Sequence, residues 1–329
     1  MAVQNILDLT RNTLSTDLTS YNFLLYSIPG MGKTTFATQM FPEKSCILGF
    51  EFGYKGIPGA LGVPIPDYFS FLEYVEQFDT DEARAMYDTL IVDTTTKAGE
   101  VIENYILGKF GKDALGDCKT HGGAYPLINR YYNLPFNRLK ARGYNFVYIC
   151  HSKVEDIKND KGEVISQRYL PKMSDRIKSL IEPEVDYTFF ITLDKDGKRI
   201  LVTDNNSKSL GKQRTPLPLI MPLNIDNFLV EFEKGVLEKS NGNITSERSK
   251  TTVVEFKEDS VDYRELVKEI KELGQRIIST DKEKGKEAVV YINNILGKDD
   301  NNVQRTLDIC TQENEEMLKV ILEGLKKYM

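Results

Sequence analysis

The sequence has few of the residues from which disulfide frameworks and zinc sites are built. Its 329 residues include only four cysteines and two histidines, and the cysteines lie far apart with no Cys-x-x-Cys pair. This scarcity argues against a structural zinc site, which needs cysteine or histidine ligands at short spacing. We therefore expect reduced thiols and a cytoplasmic protein.

Long apolar runs and an excess of positive charge are also missing. No stretch approaches the roughly 18 apolar residues of a membrane span, and the first residues do not form a basic, apolar leader, so neither a membrane protein nor a secretory signal is predicted. The net charge of −6 argues against a general polyanion binder. Residues 67–88 are acidic, whereas residues 109–142 and 208–214 are basic. If nucleic acid binds, it binds locally, although a solvated surface explains each of these charges equally well.

The first half of the chain alternates between short apolar runs and segments with helical periodicity. Strands are predicted at residues 21–26, 45–50, 89–93 and 145–150, and helices at residues 33–40, 97–107 and 125–142. Continuous apolar strands alternating with helices are typical of a parallel sheet covered on both faces. The sequence therefore predicts an α/β fold.

After His151 the pattern changes to hairpins and then to helices. Turn residues at 159–162 and 194–197 separate strand-like arms, which predicts antiparallel strands at one edge of the sheet. A polar stretch that begins at Lys239 is typical of a linker, and helical periodicity follows at residues 261–278, 283–296 and 313–328. The predicted domains are a core at residues 1–238, a linker at 239–258 and a helical C-terminal module at 259–329.

The most specific motif is a glycine-containing loop between the first strand and the first helix. Its end, Gly32-Lys33-Thr34, is typical of a phosphate-binding loop, in which backbone N–H groups and the helix N-terminus face the phosphates. Lys33 is expected to reach the β- and γ-phosphates. We predict that ATP or another nucleoside triphosphate binds to Ser27, Ile28, Pro29, Gly30, Met31, Gly32, Lys33, Thr34 and Thr35.

Ser27 stands where the motif normally has its first glycine. Serine is unfavourable there only if that position requires a positive φ. The alternative interpretation of the whole segment is a chance turn before a helix, which its position between a strand and a helix disfavours.

A magnesium ligand is predicted at Asp93, which ends the apolar run 89–93. In nucleotide-binding proteins of this kind, the loop threonine and a strand-end aspartate hold Mg²⁺ beside the phosphates, so Thr34 and Asp93 are the predicted metal-binding residues. The alternative is an aspartate that only caps the following helix.

Two further polar residues follow predicted strands. Threonines follow Asp93, so the usual glutamate that would orient an attacking water is missing from that position. Glu51 follows the second strand and His151 the fourth, and ligands gather at the carboxyl ends of parallel strands. We predict Glu51 as the general base and His151 as a sensor of the γ-phosphate. A surface loop acid and a strand-end histidine with a structural role are the alternatives.

Taken together, the loop ending at Thr35, Glu51, Asp93 without a following acid and the segment 150–153 resemble phage-encoded RecA-like ATPases of the recombination and single-strand-annealing (Sak-type) group. The segments 121–125 and 211–214 are similar to that group as well, and the resemblance covers about residues 20–225. It implies a RecA-like P-loop NTPase core.

The resemblance also implies roles for individual residues. Glu51 would be the catalytic glutamate, and His151 would stand where the family has its γ-phosphate sensor. Lys212 and Arg214 would reach the nucleotide of a neighbouring subunit as a trans-acting finger. The loops at residues 112–125 and 153–172 would face single-stranded DNA, although acids in the second loop argue against strong binding there.

The leading hypothesis is an ATP- and Mg²⁺-dependent, DNA-stimulated ATPase for DNA recombination or single-strand annealing. It would self-associate into a ring or filament on single-stranded DNA, in the host cytoplasm if it is phage-encoded. The alternative is a nucleotide-switched interaction module or helicase-loader-like replication accessory protein, whose C-terminal helices recruit a helicase or a single-strand-binding protein. A small-molecule phosphotransferase is disfavoured because no arginine-rich lid is evident.

Overall fold

The computed structural model describes residues 11–118, 124–249, 263–297, 304, 306–310 and 314–328, and the chain divides into two compact units, Met1–Glu255 and Phe256–Met329. The strands of the first unit are β1 (Leu14–Ser15), β2 (Phe23–Ser27), β3 (Ser45–Gly49), β4 (Gly62–Pro64), β5 (Thr89–Asp93), β6 (Asn145–Lys158), β7 (Val164–Pro171), β8 (Tyr187–Leu193), β9 (Arg199–Val202), β10 (Ile220–Pro222) and β11 (Ile244–Thr245). Its α-helices are α1 (Lys33–Met40), α2 (Tyr68–Phe78), α3 (Asp81–Met86), α4 (Thr95–Phe110), α5 (Tyr125–Ala141), α6 (Asp175–Ile181) and α7 (Ile225–Ser240).

The main sheet has the strand order β10-β9-β8-β2-β6-β5-β3-β4. All neighbouring pairs from β8 to β4 are parallel, whereas β9 is antiparallel to β8 and β10 is antiparallel to β9. The predicted α/β fold, with a mainly parallel sheet and antiparallel strands at one edge, is confirmed. Because β6 lies between β2 and β5, the loop after β2 and the aspartate that ends β5 are one strand apart.

Helices cover both faces of this sheet, which is why its central strands are apolar without alternation. Every residue of β2 and β5 is buried. Leu24 and Tyr26 of β2 belong to the core beneath α2, α4, α5 and α6, whereas Phe23 and Leu25 belong to the core beneath α1 and α7. Successive side chains of a strand point to opposite faces, so a fully buried strand supplies both cores.

The hairpin predicted at residues 154–169 forms, but it does not lie at an edge of the sheet. Its first arm is the continuation of the central strand β6, whose first six residues are buried and whose following residues 153–158 are mostly exposed. β7 pairs antiparallel with this projecting half, from Ser152↔Pro171 onwards. We call residues 152–171 the β6–β7 arm. Turn residues indicate a hairpin, but they do not indicate where in the sheet its strands lie.

The first part of the predicted linker packs on the first unit. α7 continues to Ser240, and β11 pairs in parallel with β1. Arg248 then donates a hydrogen bond from Nη2 to the carbonyl oxygen of Gly143, at 2.6 Å. Residues up to 249 are therefore held in place by contacts that the polar composition did not indicate, and residues 250–258 lie outside the described part of the chain.

The second unit contains α8 (Tyr263–Thr280), α9 (Lys282–Leu296) and α10 (Glu315–Leu325), which confirms the predicted C-terminal helices. These helices have their own apolar core, formed by residues such as Ile270, Ala288 and Ile321. Among the residues that the structure describes, no helix has the length and apolar character needed to cross a membrane.

Candidate nucleotide site

The predicted phosphate-binding loop connects the end of β2 to the start of α1. Gly30 and Gly32 have φ angles of +78° and +91°, which favour glycine because a Cβ atom is strained in that region. Ser27 is buried and is not among the residues with positive φ, so serine at this position carries no backbone strain. Sequence and backbone geometry therefore agree that the loop can approach phosphates closely.

Lys33, the first residue of α1, points its amine back under the loop. Its Nζ donates hydrogen bonds to Ser27 Oγ at 3.0 Å and to the carbonyl oxygen of Ile28 at 3.1 Å. Burial lowers the pKa of Lys33, and the nearby Asp93 opposes that shift. The Lys33 ammonium bonds to neutral oxygens in this structure. Negatively charged phosphate oxygens can take the place of these partners and form stronger, charge-assisted hydrogen bonds.

Thr34 and Asp93 lie together, as the prediction of a magnesium site requires. Thr34 Oγ1 donates a hydrogen bond to Asp93 Oδ2 at 2.9 Å. Asp93 is 4% exposed, and its burial raises the pKa of its carboxyl to about 6, a shift that the hydrogen bond from Thr34 opposes. The described residues contain no group of three or more acidic, histidine or cysteine side chains arranged for a metal ion. A hydroxyl and one carboxylate nevertheless fit Mg²⁺, which is usually held by one or two carboxylates together with substrate phosphates.

Glu51 and His151, which follow different strands, are in direct contact. His151 Nε2 lies 3.1 Å and 3.2 Å from the two carboxylate oxygens of Glu51, and Thr94 Oγ1 donates to Glu51 Oε1 at 2.9 Å. The register explains this meeting, because the backbone N–H of Glu51 donates to the carbonyl oxygen of Asp93 and His151 is paired with Ser27. The sequence indicated each residue separately but not their contact.

This arrangement places a carboxylate where it can accept a proton from water. The side chains of Glu51 and His151 are 35% and 24% exposed, so solvent reaches them. The buried Nδ1 of His151 has no hydrogen-bond partner among the described residues. Glu51 is therefore anchored by two neighbours and remains open to solvent, which suits a general base.

Lys212 and Arg214 are not at this site. Lys212 pairs with Thr188 near the start of β8, at the end of the strands opposite to the loop, and its Nζ donates to the carbonyl oxygens of Glu182 and Val185. Arg214 Nε forms an ion pair with Asp186 at 3.1 Å. Within this chain, Lys212 and Arg214 therefore connect the segment that follows β9 with the end of α6 and the start of β8.

The loop predicted to face DNA at residues 112–125 is described only in part, because residues 119–123 lie outside the described chain. Tyr125 begins α5, and the guanidinium of Arg176 lies 4.9 Å from the centre of its ring. The second predicted loop, residues 153–172, is the β6–β7 arm and the residue that follows it.

A cation that the sequence did not indicate lies against the loop. Arg199 Nη2 donates a hydrogen bond to the carbonyl oxygen of Gly30 at 3.3 Å. A Cβ atom on Gly32 would be 3.4 Å from Arg199 Nη1. A single arginine after a hairpin turn matches no sequence motif. The turn lies beside the loop because β8 pairs with β2, which the sequence does not indicate.

The chain is similar to known proteins over part of its length. Residues 19–215 match the model of a family described as AAA domain. Among solved structures, the RadB recombinase is similar with a TM-score of 0.34 and 11% identity, over 58% of this chain and 81% of the RadB chain. A likeness at that TM-score is too weak to indicate function. No curated protein matches the chain.

The matched segment contains the whole of the site, from the loop after β2 to the ends of β3, β5 and β6. The fold of the first unit is an α/β fold with a mainly parallel sheet and antiparallel edge strands, and the second unit adds C-terminal helices. Because the match spans more than half of the sequence, this chain belongs to the AAA domain family.

Proposed function

We propose that this protein binds and hydrolyses ATP and that it acts, as an oligomer, in DNA recombination or single-strand annealing of the phage type. The observation that carries the proposal is the contact between Glu51 and His151 beside the loop, because it joins a general base to the strand that continues into the β6–β7 arm. A site with this connection suits a protein in which nucleotide state controls a projecting surface.

In this proposal the phosphate site has four working parts. Lys33 holds the β- and γ-phosphates, Thr34 and Asp93 hold Mg²⁺, and Glu51 accepts the proton of the attacking water. His151 senses the γ-phosphate through Glu51. Bound magnesium supplies positive charge that offsets the charge of the phosphates.

Hydrogen bonds connect Lys172, at the base of the β6–β7 arm, to His151 and to the first turn of α4. The backbone N–H of Lys172 donates to the carbonyl oxygen of His151 at 2.7 Å, and Thr96 Oγ1 donates to the carbonyl oxygen of Lys172 at 2.8 Å. Thr96 lies in the first turn of α4, which begins directly after Asp93 and Thr94. A change at the γ-phosphate therefore has a short route through hydrogen bonds to the base of the arm.

The charge of the arm region suits moderate, salt-sensitive binding to single-stranded DNA. Its bases are Lys153, Lys158, Lys161, Arg168 and Lys172, and its acids are Glu155, Asp156, Asp160 and Glu163. Because bases only slightly outnumber acids, DNA affinity is expected to depend on many copies of the arm along a ring or filament. Lys212 and Arg214 would act on a neighbour's nucleotide only after leaving their contacts with backbone carbonyls and Asp186.

The proposal is tested by measuring ATP binding and hydrolysis with and without single-stranded DNA at low salt. Glu51→Gln is expected to retain ATP binding and to lower the hydrolysis rate by about 10² to 10⁴. Glu100→Gln, on the exposed surface of α4, is the matched control and is expected to behave as wild type. Absence of ATP binding refutes the ATPase assignment, whereas hydrolysis without DNA binding or stimulation refutes only the DNA assignment.

The interaction-module alternative is favoured by one observation in the second unit. Its helices have a core of their own, yet Val289, Val290 and Val320 remain 43%, 57% and 54% exposed. Deletion of residues 256–329 separates the two proposals. Loss of binding to a single-strand-binding protein or a helicase, with DNA binding and ATPase activity retained, supports the module.

A further inference from the structure

In the part of the chain that the structure describes, two positively charged side chains form hydrogen bonds with the phosphate loop, and of these only Lys33 belongs to the motif. We propose that Arg199, the other one, contacts the triphosphate bound in its own chain and stabilises the charge that develops during hydrolysis. This inference rests on the proposed ATPase function and names a residue of that site. It assigns to the same chain a role that the family resemblance gives to Lys212 and Arg214 of a neighbour.

The pairing of β8 with β2 brings Arg199 close to the loop. β8 runs parallel to β2 and beside it, so both strands end at the same side of the sheet. A tight turn follows β8, in which Asp194 Oδ1 accepts from the backbone N–H of Lys198 at 2.8 Å and Gly197 has a φ of +77°. The first residue of the returning strand β9 is Arg199.

The backbone of Arg199 is held by a strand pairing, whereas its side chain is exposed to solvent. Leu223, just after β10, donates its backbone N–H to the carbonyl oxygen of Arg199 at 3.0 Å. Among the residues that the structure describes, the guanidinium has one hydrogen-bond partner, the carbonyl oxygen of Gly30. Its remaining donors are available, and a planar guanidinium binds two phosphate oxygens in parallel.

The hydrogen bonds of Lys33 and Arg199 leave both cations able to contact an anion. Within the described chain, no carboxylate lies within ion-pair distance of either side chain, and their hydrogen bonds run to neutral oxygens. Asp93 and Glu51 lie near Lys33 and favour its charged form, and a bound anion would add negative charge close to both cations. The N–H groups at the start of α1 favour an anion at the same place.

The absence of a side chain at Gly32 keeps the space beneath the guanidinium open. An added Cβ would be 3.4 Å from Arg199 Nη1 and 3.7 Å from Leu223 Cδ2. Arg199 therefore needs only a rotation of its own side chain, away from the carbonyl oxygen of Gly30, to meet a phosphate held by the loop.

The chemistry benefits from a donor at this position. Water attacks the γ-phosphorus, its proton passes to the carboxylate of Glu51, and the bond from the γ-phosphorus to the bridging oxygen breaks to give ADP and phosphate. Negative charge grows on the oxygens of the departing group during this step, and a guanidinium in place beforehand stabilises it. In other phosphoryl-transfer enzymes an arginine with this role contributes about 10³ to 10⁵ in rate.

The test compares Arg199→Ala and Arg199→Lys with Lys198→Ala, a matched control that removes the adjacent cation. The measurements are single-turnover hydrolysis of ATP and the affinities for ATPγS and ADP, each with Mg²⁺. We expect Arg199→Ala to slow hydrolysis at least about 100-fold and to weaken ATPγS binding about tenfold, with ADP affinity changed less than about threefold. Arg199→Lys is expected to regain part of the rate, and Lys198→Ala to match wild type.

Other outcomes overturn the inference in distinguishable ways. Equal loss of ATPγS and ADP affinity in Arg199→Ala shows that the residue only supports the shape of the loop. Hydrolysis at the wild-type rate shows that it has no role in the reaction. If Arg199→Ala does not fold, Arg199→Lys becomes the test variant. Wild-type behaviour of Arg199→Lys in all assays then overturns the inference. Failure of the wild-type protein itself to bind ATPγS overturns the proposed function and this inference together.

Discussion

Replacement of Asp93 by asparagine is expected to stabilise the nucleotide-free protein while removing its response to Mg²⁺ and ATP. Asp93 is a buried carboxylate whose pKa is raised to about 6, mainly by burial and in part by the nearby charge of Glu51. Asparagine keeps an oxygen that can accept the hydrogen bond from Thr34 but carries no charge. The charged form needed for magnesium is therefore a cost to the fold whenever nucleotide is absent.

The size of that cost follows from the pKa. A rise from 3.8 to about 6 corresponds to about 3 kcal/mol of the free energy of unfolding at neutral pH, as an upper limit. Because the folded-state pKa lies above that of the unfolded chain, stability falls as the pH rises from about 4 to about 6 and stays low above that window. For a unit of this size, 1–3 kcal/mol corresponds to a shift in Tm of about 2–6 °C or more.

Calorimetric melting of wild type and Asp93→Asn at pH 4 and pH 8 measures this difference. The variant is expected to melt about 2–6 °C higher at pH 8 and close to wild type at pH 4, and to lose the stabilisation that ATP with Mg²⁺ gives to wild type. Asp196→Asn, in the exposed turn after β8, is the control and should change neither value. The reasoning would be refuted if the difference in Tm between Asp93→Asn and wild type were the same at pH 8 as at pH 4, or if the variant melted below wild type at pH 8.

Three further substitutions have outcomes set by single contacts. Ser27→Ala removes the hydroxyl that accepts a hydrogen bond from Lys33. We expect the ATP affinity to stay within about threefold of wild type and the Tm to fall by a few degrees. A loss of ATP affinity beyond about tenfold in titration calorimetry would show that the hydroxyl binds nucleotide. Tyr132→Phe removes a buried hydroxyl without a hydrogen-bond partner among the described residues, and should raise the free energy of unfolding by about 1 kcal/mol in denaturant titrations, whereas a decrease would reveal a partner. Lys212→Met removes the donor that bonds the carbonyl oxygens after α6 and is expected to cost about 1–2 kcal/mol while leaving the ATP affinity of the dissociated chain unchanged; loss of that affinity would contradict the position of Lys212 far from the loop.

The central strands and helices could be predicted from sequence because their signals are local. β5 and α1 have the predicted bounds, since a fully buried strand is a continuous apolar run and a helix after a glycine loop begins where the loop ends. The acidic stretch at residues 67–88 gave no such prediction, although it contains α2 and α3. Their N-caps Asp67 and Thr80 are signals of helix starts that the charge pattern obscured.

The sequence by itself determined the chemistry of the phosphate loop, because backbone conformation and residue type suffice there: Gly32 and Lys33 are neighbours in the chain and in space. Only the tertiary structure decided which distant residues join that loop. The contact of Glu51 with His151 and the approach of Arg199 to Gly30 depend on the order and register of strands far apart in the chain. Strand order is set by the packing of whole elements, and no local pattern records it.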